Sequence, residues 1–177
     1  MLGPSSWLLL RHLGRREVVR GFEVMGAEDL GVPEKEHLDG ALALVETTAP
    51  WIMAHARRDV PGLVISRGGA EIGWMTGALW ISPSSLESED LAYLSSTLVF
   101  YFTLARLRAV LGRRHRGFAF RRFRLTLERT LAFARLLPDG QAVVDHLTAA
   151  VDRGYFENTR QRELRGARID EMDLAPW

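Results

Sequence analysis

The five histidines of the chain, His12, His37, His55, His115 and His146, carry the clearest potential for chemistry. A helix that aims two imidazoles at one metal needs them three or four residues apart, and no pair here has that spacing. The best local His–carboxylate pair is His55 with Asp59, which at helical spacing can orient an imidazole for proton transfer. Glu34, Glu36 and His37 gather at a helix start, where acids more simply offset the positive end of the macrodipole. No serine sits in a nucleophile elbow, and no glycine loop follows a Walker or dinucleotide pattern. The chain has no cysteine. Disulfides, thiolate metal sites and cysteine nucleophiles are therefore excluded, which fits a reducing cytoplasm.

Two further groups have binding character. Trp74, Met75 and Trp80 lie on or beside two short strand-like runs, with Trp51 and Met53 on a neighbouring helix; such residues line an apolar pocket or simply fill a core. The second group is basic. Of 23 basic residues only Lys35 is lysine, a bias that a high-GC genome accounts for. Between Arg106 and Arg135 there are ten arginines against one acid, Glu128. Arg113, Arg114, Arg116, Arg121, Arg122 and Arg124 form its centre, with Phe118, Phe120 and Phe123 interleaved. That composition attracts phosphate or carboxylate, and the rings suit base stacking. Net charge is only +1, so the rest of the chain is acidic enough to neutralise the block, which argues against a dedicated nucleic-acid binder.

These residues must be positioned by a small fold. The 177 residues, 47% of them apolar, suit one globular domain. Residues 1–32 read as irregular, with a short helix between Trp7 and Val19. Trp7–Leu10 is too short for a signal-peptide core and is followed rather than preceded by Arg11, Arg15 and Arg16, so the expectation is no export signal. From Pro33 the apolar positions Leu38, Leu42, Val45, Ala49, Ile52 and Ala56 mark a helical face. Pro50 divides it, with Thr47 and Thr48 placed to cap a second start. Leu63–Ile65 and Ala78–Ile81 read as two strands of a glycine-rich hairpin near 62–82. Ser88-Glu89-Asp90 opens a helix to about Leu111. Its apolar run from Leu91 to Ala105 is 15 residues, against the roughly 20 that span a membrane, so it predicts a buried core helix. Further helices cover Phe120–Leu137 and Gln141–Arg153, separated by Pro138-Asp139-Gly140. Residues 33–155 thus form a single helical domain, 156–177 a charged tail, and the fold class is α+β, predominantly helical.

The segment LAYLSSTLVFYFTLARL, residues 91–107, resembles the active helix of bacterial HExxH-containing peptide-modification proteins. The preceding strand GALWIS and the later stretch RRFRLTLERTLAFARLLPDGQAVVDHL also resemble that family, and the likeness covers roughly residues 35 to 150. It implies zincin-like helices around a small β-hairpin and a place in peptide or natural-product biosynthesis. Leu98 and Val99 match the family pattern, but Phe100 stands for the first histidine, Tyr101 for the glutamate and Leu104 for the second histidine. Phe and Leu offer no lone pair, so no metal ligand is carried over and no cofactor is expected.

Three readings follow. The first is a non-catalytic, metal-free partner of a peptide or enzyme, using the hairpin edge and a groove above Phe100 and Tyr101. The second is a cofactor-free enzyme holding a small apolar molecule among Trp74, Trp80, Phe100, Tyr101 and Leu104, with Tyr101 or His55 moving a proton. The third is anion or nucleic-acid binding by the arginine block. The expectation is a cytoplasmic protein without a membrane span, and the resemblance implies a bacterial one; the oligomeric state is not encoded in any motif.

Overall fold

The computed structural model describes residues 15–26, 31–65, 72–75, 78–88, 90–111 and 119–152. It is α+β with helix dominant. Strands β1 (Arg15–Val19) and β2 (Phe22–Gly26) precede helices α1 (Val32–Thr48) and α2 (Pro50–Asp59). Then come β3 (Leu63–Ile65), β4 (Ile72–Met75) and β5 (Ala78–Ile81). Helices α3 (Pro83–Ser88), α4 (Leu91–Leu111), α5 (Ala119–Ala134) and α6 (Gln141–Asp152) complete the described chain.

Residues 15–26 differ from the expectation of an irregular or helical start. They form an antiparallel hairpin in which Val19 pairs with Phe22. Its two turn residues, Arg20 and Gly21, have φ of 46° and 82°. Positive φ at both positions is the type I′ pattern, whose twist matches that of the flanking strands. Glycine takes this conformation freely, while the arginine is fastened by its side chain. Arg20 donates to the Asp39 carbonyl at 3.0 Å, to Asp39 Oδ2 at 3.0 Å and to Glu46 Oε2 at 3.2 Å. Arg57 of α2 closes the network, donating to the Arg20 carbonyl at 3.1 Å and to Glu46 Oε1 at 2.6 Å.

The sheet is larger than a single hairpin. Among the described residues its five strands run in the order β1-β2-β3-β5-β4. Leu63–Ile65 and Ala78–Ile81 are neighbours, but parallel rather than antiparallel, with Leu63 opposite Leu79 and Ile65 opposite Ile81. The hairpin partner of β5 is instead β4, which takes the sheet edge. β2 and β3 are also parallel, and α1 and α2 supply the crossover that parallel strands require.

Side chains alternate across the sheet. Val24, Leu63, Ile65, Leu79 and Ile81 join the helices in the main core. Met25, Val64 and Ala78, with Trp80 against them, form a second small cluster on the opposite face. At the centre of the main core lies α4. Every residue from Leu94 to Ala105 is buried, as expected for a helix that is uncharged all round and mostly apolar. It packs against α1, α2 and α5. Its start is capped by Asp90, whose Oδ1 accepts the Tyr93 N–H at 2.6 Å, rather than by Ser88, the last residue of α3. Pro50 separates α1 from α2 as expected, but Thr47 does not cap α2; its hydroxyl donates back to the Ala43 carbonyl at 3.0 Å. The turn 138–140 divides α5 from α6. Gly140 is buried there, and a Cβ on it would overlap the Ala134 carbonyl oxygen. Among the described residues no helix is long and apolar enough to cross a membrane.

Candidate functional site

The positions on α4 that the HExxH resemblance singles out are enclosed. Phe100 is 0% exposed, Tyr101 1% and Leu104 1%. Phe100 packs edge-on to Tyr101 with ring centroids 5.3 Å apart, and tilted against Phe123 of α5 at 5.6 Å. Where the family pattern would aim donors at a metal, α4 meets an aromatic side chain from the next helix. The groove expected above Phe100 and Tyr101 is therefore core, and a substrate reaching the Tyr101 side chain would have to displace packed neighbours. Phe102, one position on, stacks in the other direction on Phe22 of β2, centroids 5.4 Å apart and planes 8° from parallel.

The set expected to line one apolar pocket is split by the sheet. Trp80 belongs to the cluster with Met25, Val64 and Ala78, whereas Phe100, Tyr101 and Leu104 belong to the main core. Strand alternation is the cause: Trp80 points away from the side taken by Leu79 and Ile81. Trp74 lies on β4, whose backbone alone is described. Met53 is core at 0% exposure, while Trp51, two residues earlier on α2, is 47% exposed.

His55 and Asp59 do not pair. Asp59 ends α2 and accepts from Arg58 at 3.1 Å and 3.4 Å and from Arg106 of α4 at 3.5 Å. Its charge raises the pKa of Arg58 through the hydrogen bond between them. His55 instead meets Trp51 edge-on, centroids 6.3 Å apart. The Trp51 ring in turn lies under the guanidinium of Arg129, 5.4 Å from its centroid. Sequence reading missed this trio because Arg129 is 78 positions from Trp51; only the packing of α2 and α5 on α4 brings them together.

The arginine block is also resolved into parts. Arg113, Arg114 and Arg116 lie outside the described residues. Arg121 and Arg124 are exposed, and Arg124 donates to Glu128 at 2.8 Å. Arg122 differs from the expectation of a surface anion ligand: it is buried, 7% exposed, and engaged within the fold. Helical phase explains the split. Arg122 shares its α5 face with Thr126, which is 0% exposed and donates to the Arg122 carbonyl at 2.8 Å.

Among the described residues, no three His, Asp or Glu side chains are grouped as a metal site requires. Glu34 lies in the first turn of α1, near its positive pole. The buried stretch of α4 is thus hydrocarbon and hydroxyl. Among protein families, curated proteins and solved structures, none matches this chain.

Proposed function

We propose that the chain is a metal-free, zincin-like protein of bacterial peptide or natural-product biosynthesis, acting as a non-catalytic binding partner for a peptide or a partner enzyme. One observation carries the reading. The three α4 positions at which the resemblance places HExxH residues are filled by Phe100, Tyr101 and Leu104, each at most 1% exposed. A helix so filled supports a fold without supplying donors or a proton relay to a substrate.

The binding role rests on the sheet. β4 forms one edge of it, hydrogen-bonded to β5 on one side, and among the described residues no strand lies on the other. An extended peptide adds to such an edge through main-chain hydrogen bonds. In the register Met75–Ala78, Trp74–Leu79, Gly73–Trp80, alternate β4 residues direct their N–H and C=O groups outward.

The experiment is titration of the full chain with the products of its neighbouring genes, read by calorimetry, beside the variant Ile72→Pro. Proline is tolerated at the first residue of an edge strand, so the fold survives while the edge is disrupted. Saturable binding to one such product, lost in Ile72→Pro, is the expected result. Binding that Ile72→Pro leaves unchanged refutes the edge, and turnover of a peptide by the chain alone refutes the non-catalytic role.

A further inference from the structure

We infer that the outward surface of α2 and α5 around Trp51 and Arg129 is a docking site for an acidic segment of a partner polypeptide. The inference does not depend on the β4 edge binding anything.

Trp51 leaves 47% of its surface in solvent, though it is the largest side-chain type and sits at the start of a helix whose next two residues are core. It is not loose. Arg129 lies over its ring at 5.4 Å and His55 abuts it at 6.3 Å. Tryptophan and arginine are the side chains that dominate interface energetics when they are held ready in this way. One turn on, Ala54 and Ala132 are exposed and small, so neither of these described neighbours stands in the way of a partner.

Charge decides the occupant. Among the described residues, Arg121, Arg129 and Arg135 have no carboxylate partner, whereas Glu128, the one acid in α5, is bonded to Arg124. A guanidinium resting on an aromatic ring keeps its N–H groups around its rim, where a carboxylate can take two of them at once. The stacking has already restricted the Arg129 side chain, so less rotamer freedom is lost on binding. A polypeptide is favoured over a nucleic acid. With Arg122 buried and Arg124 paired, Arg121 and Arg129 are the guanidiniums of the described α5 without a carboxylate, and the net charge of the whole chain is only +1, which argues against a dedicated nucleic-acid binder.

The test is fluorescence anisotropy with three labelled probes titrated with the full chain: a glutamate/leucine dodecapeptide, its glutamine/leucine counterpart, and a thymidylate dodecamer. Saturable binding to the acidic peptide alone is expected, weakened about tenfold by Arg129→Gln and by Trp51→Ala, and unchanged by Arg16→Gln on β1. Should Trp51→Ala lose its helical circular dichroism, Arg129→Gln decides, because it replaces an exposed residue with another good helix former. No saturable binding to the acidic peptide, equal binding by Arg129→Gln, or tighter binding to thymidylate overturns the inference.

Discussion

Replacing Phe100 by alanine tests whether the α4 face is core or cleft. The side chain is 0% exposed and lies between the rings of Tyr101 and Phe123, so its removal leaves a cavity walled by side chains with little room to collapse. Buried Phe→Ala substitutions cost about 3–5 kcal/mol. Two aromatic contacts, each adding about 0.5–1.5 kcal/mol beyond area, place this one in the upper part of that range, about 4 kcal/mol. For a chain of this size that corresponds to a fall in Tm of about 8–16 °C. Urea unfolding followed by far-ultraviolet circular dichroism measures the loss, with Val110→Ala as control on the same helix. Val110 is 58% exposed, and its truncation should change stability by under about 0.5 kcal/mol. A loss below about 1 kcal/mol in Phe100→Ala, at unchanged m-value, would refute the packing argument: the face would have to be open enough to rehydrate or close over at little cost.

Other perturbations give independent checks. Gly140→Ala forces a methyl group against the Ala134 carbonyl and within 3.1 Å of Leu137 Cβ; thermal melts should show a loss of about 1–3 kcal/mol from overpacking. Asp90→Ala removes the acceptor for the Tyr93 N–H and should cost about 1 kcal/mol in urea unfolding, with Asp90→Asn recovering most of it. Glu46 is held below the ordinary glutamate value of 4.5, first by its hydrogen bond from Arg57 and then by that from Arg20. A pKa depressed in the folded state means a contribution that is complete above that value and fades as pH falls through the lower, folded one. The stability difference between wild type and Glu46→Gln should therefore be constant near neutrality and shrink on acidification below about pH 4.5. A difference that grows on acidification would contradict the sign.

Helices were legible because their periodicity and their breakers agree. Pro50 and the 138–140 turn stand where the chain does break, and the uncharged run from Leu91, apolar but for a few hydroxyls, does become the central helix. Strands were less legible. β3 is three residues long and buried on both faces, so it has no alternation to read. Val18-Val19 and Phe22-Glu23-Val24 do carry strand character, but the turn between them is Arg-Gly rather than Asn-Gly, and so lacks the usual hairpin signal. Whether neighbouring strands run parallel depends on which segment takes the outer edge, which β3 and β5 do not encode. The candidate site divided in the same way. Burial of Phe100 and Leu104 follows from their type, but Trp80 and Phe100 were separated by a sheet face that appears only once register is fixed. The contact between Trp51 and Arg129 depends on two helices flanking a third, and no local pattern specifies it.

The strand order has a consequence for how the molecule is made. Among the described residues β5 is the last strand to emerge during synthesis, yet its place is between two earlier ones, and β4 has no other described neighbour in the sheet. A nascent chain that has reached Met75 therefore holds one strand without a partner and, at β3, a bare edge beside it. Sheet completion waits for a late insertion, which slows folding relative to sequential zippering. Fragments ending before Ala78 carry unpaired strand edges prone to associate with other chains.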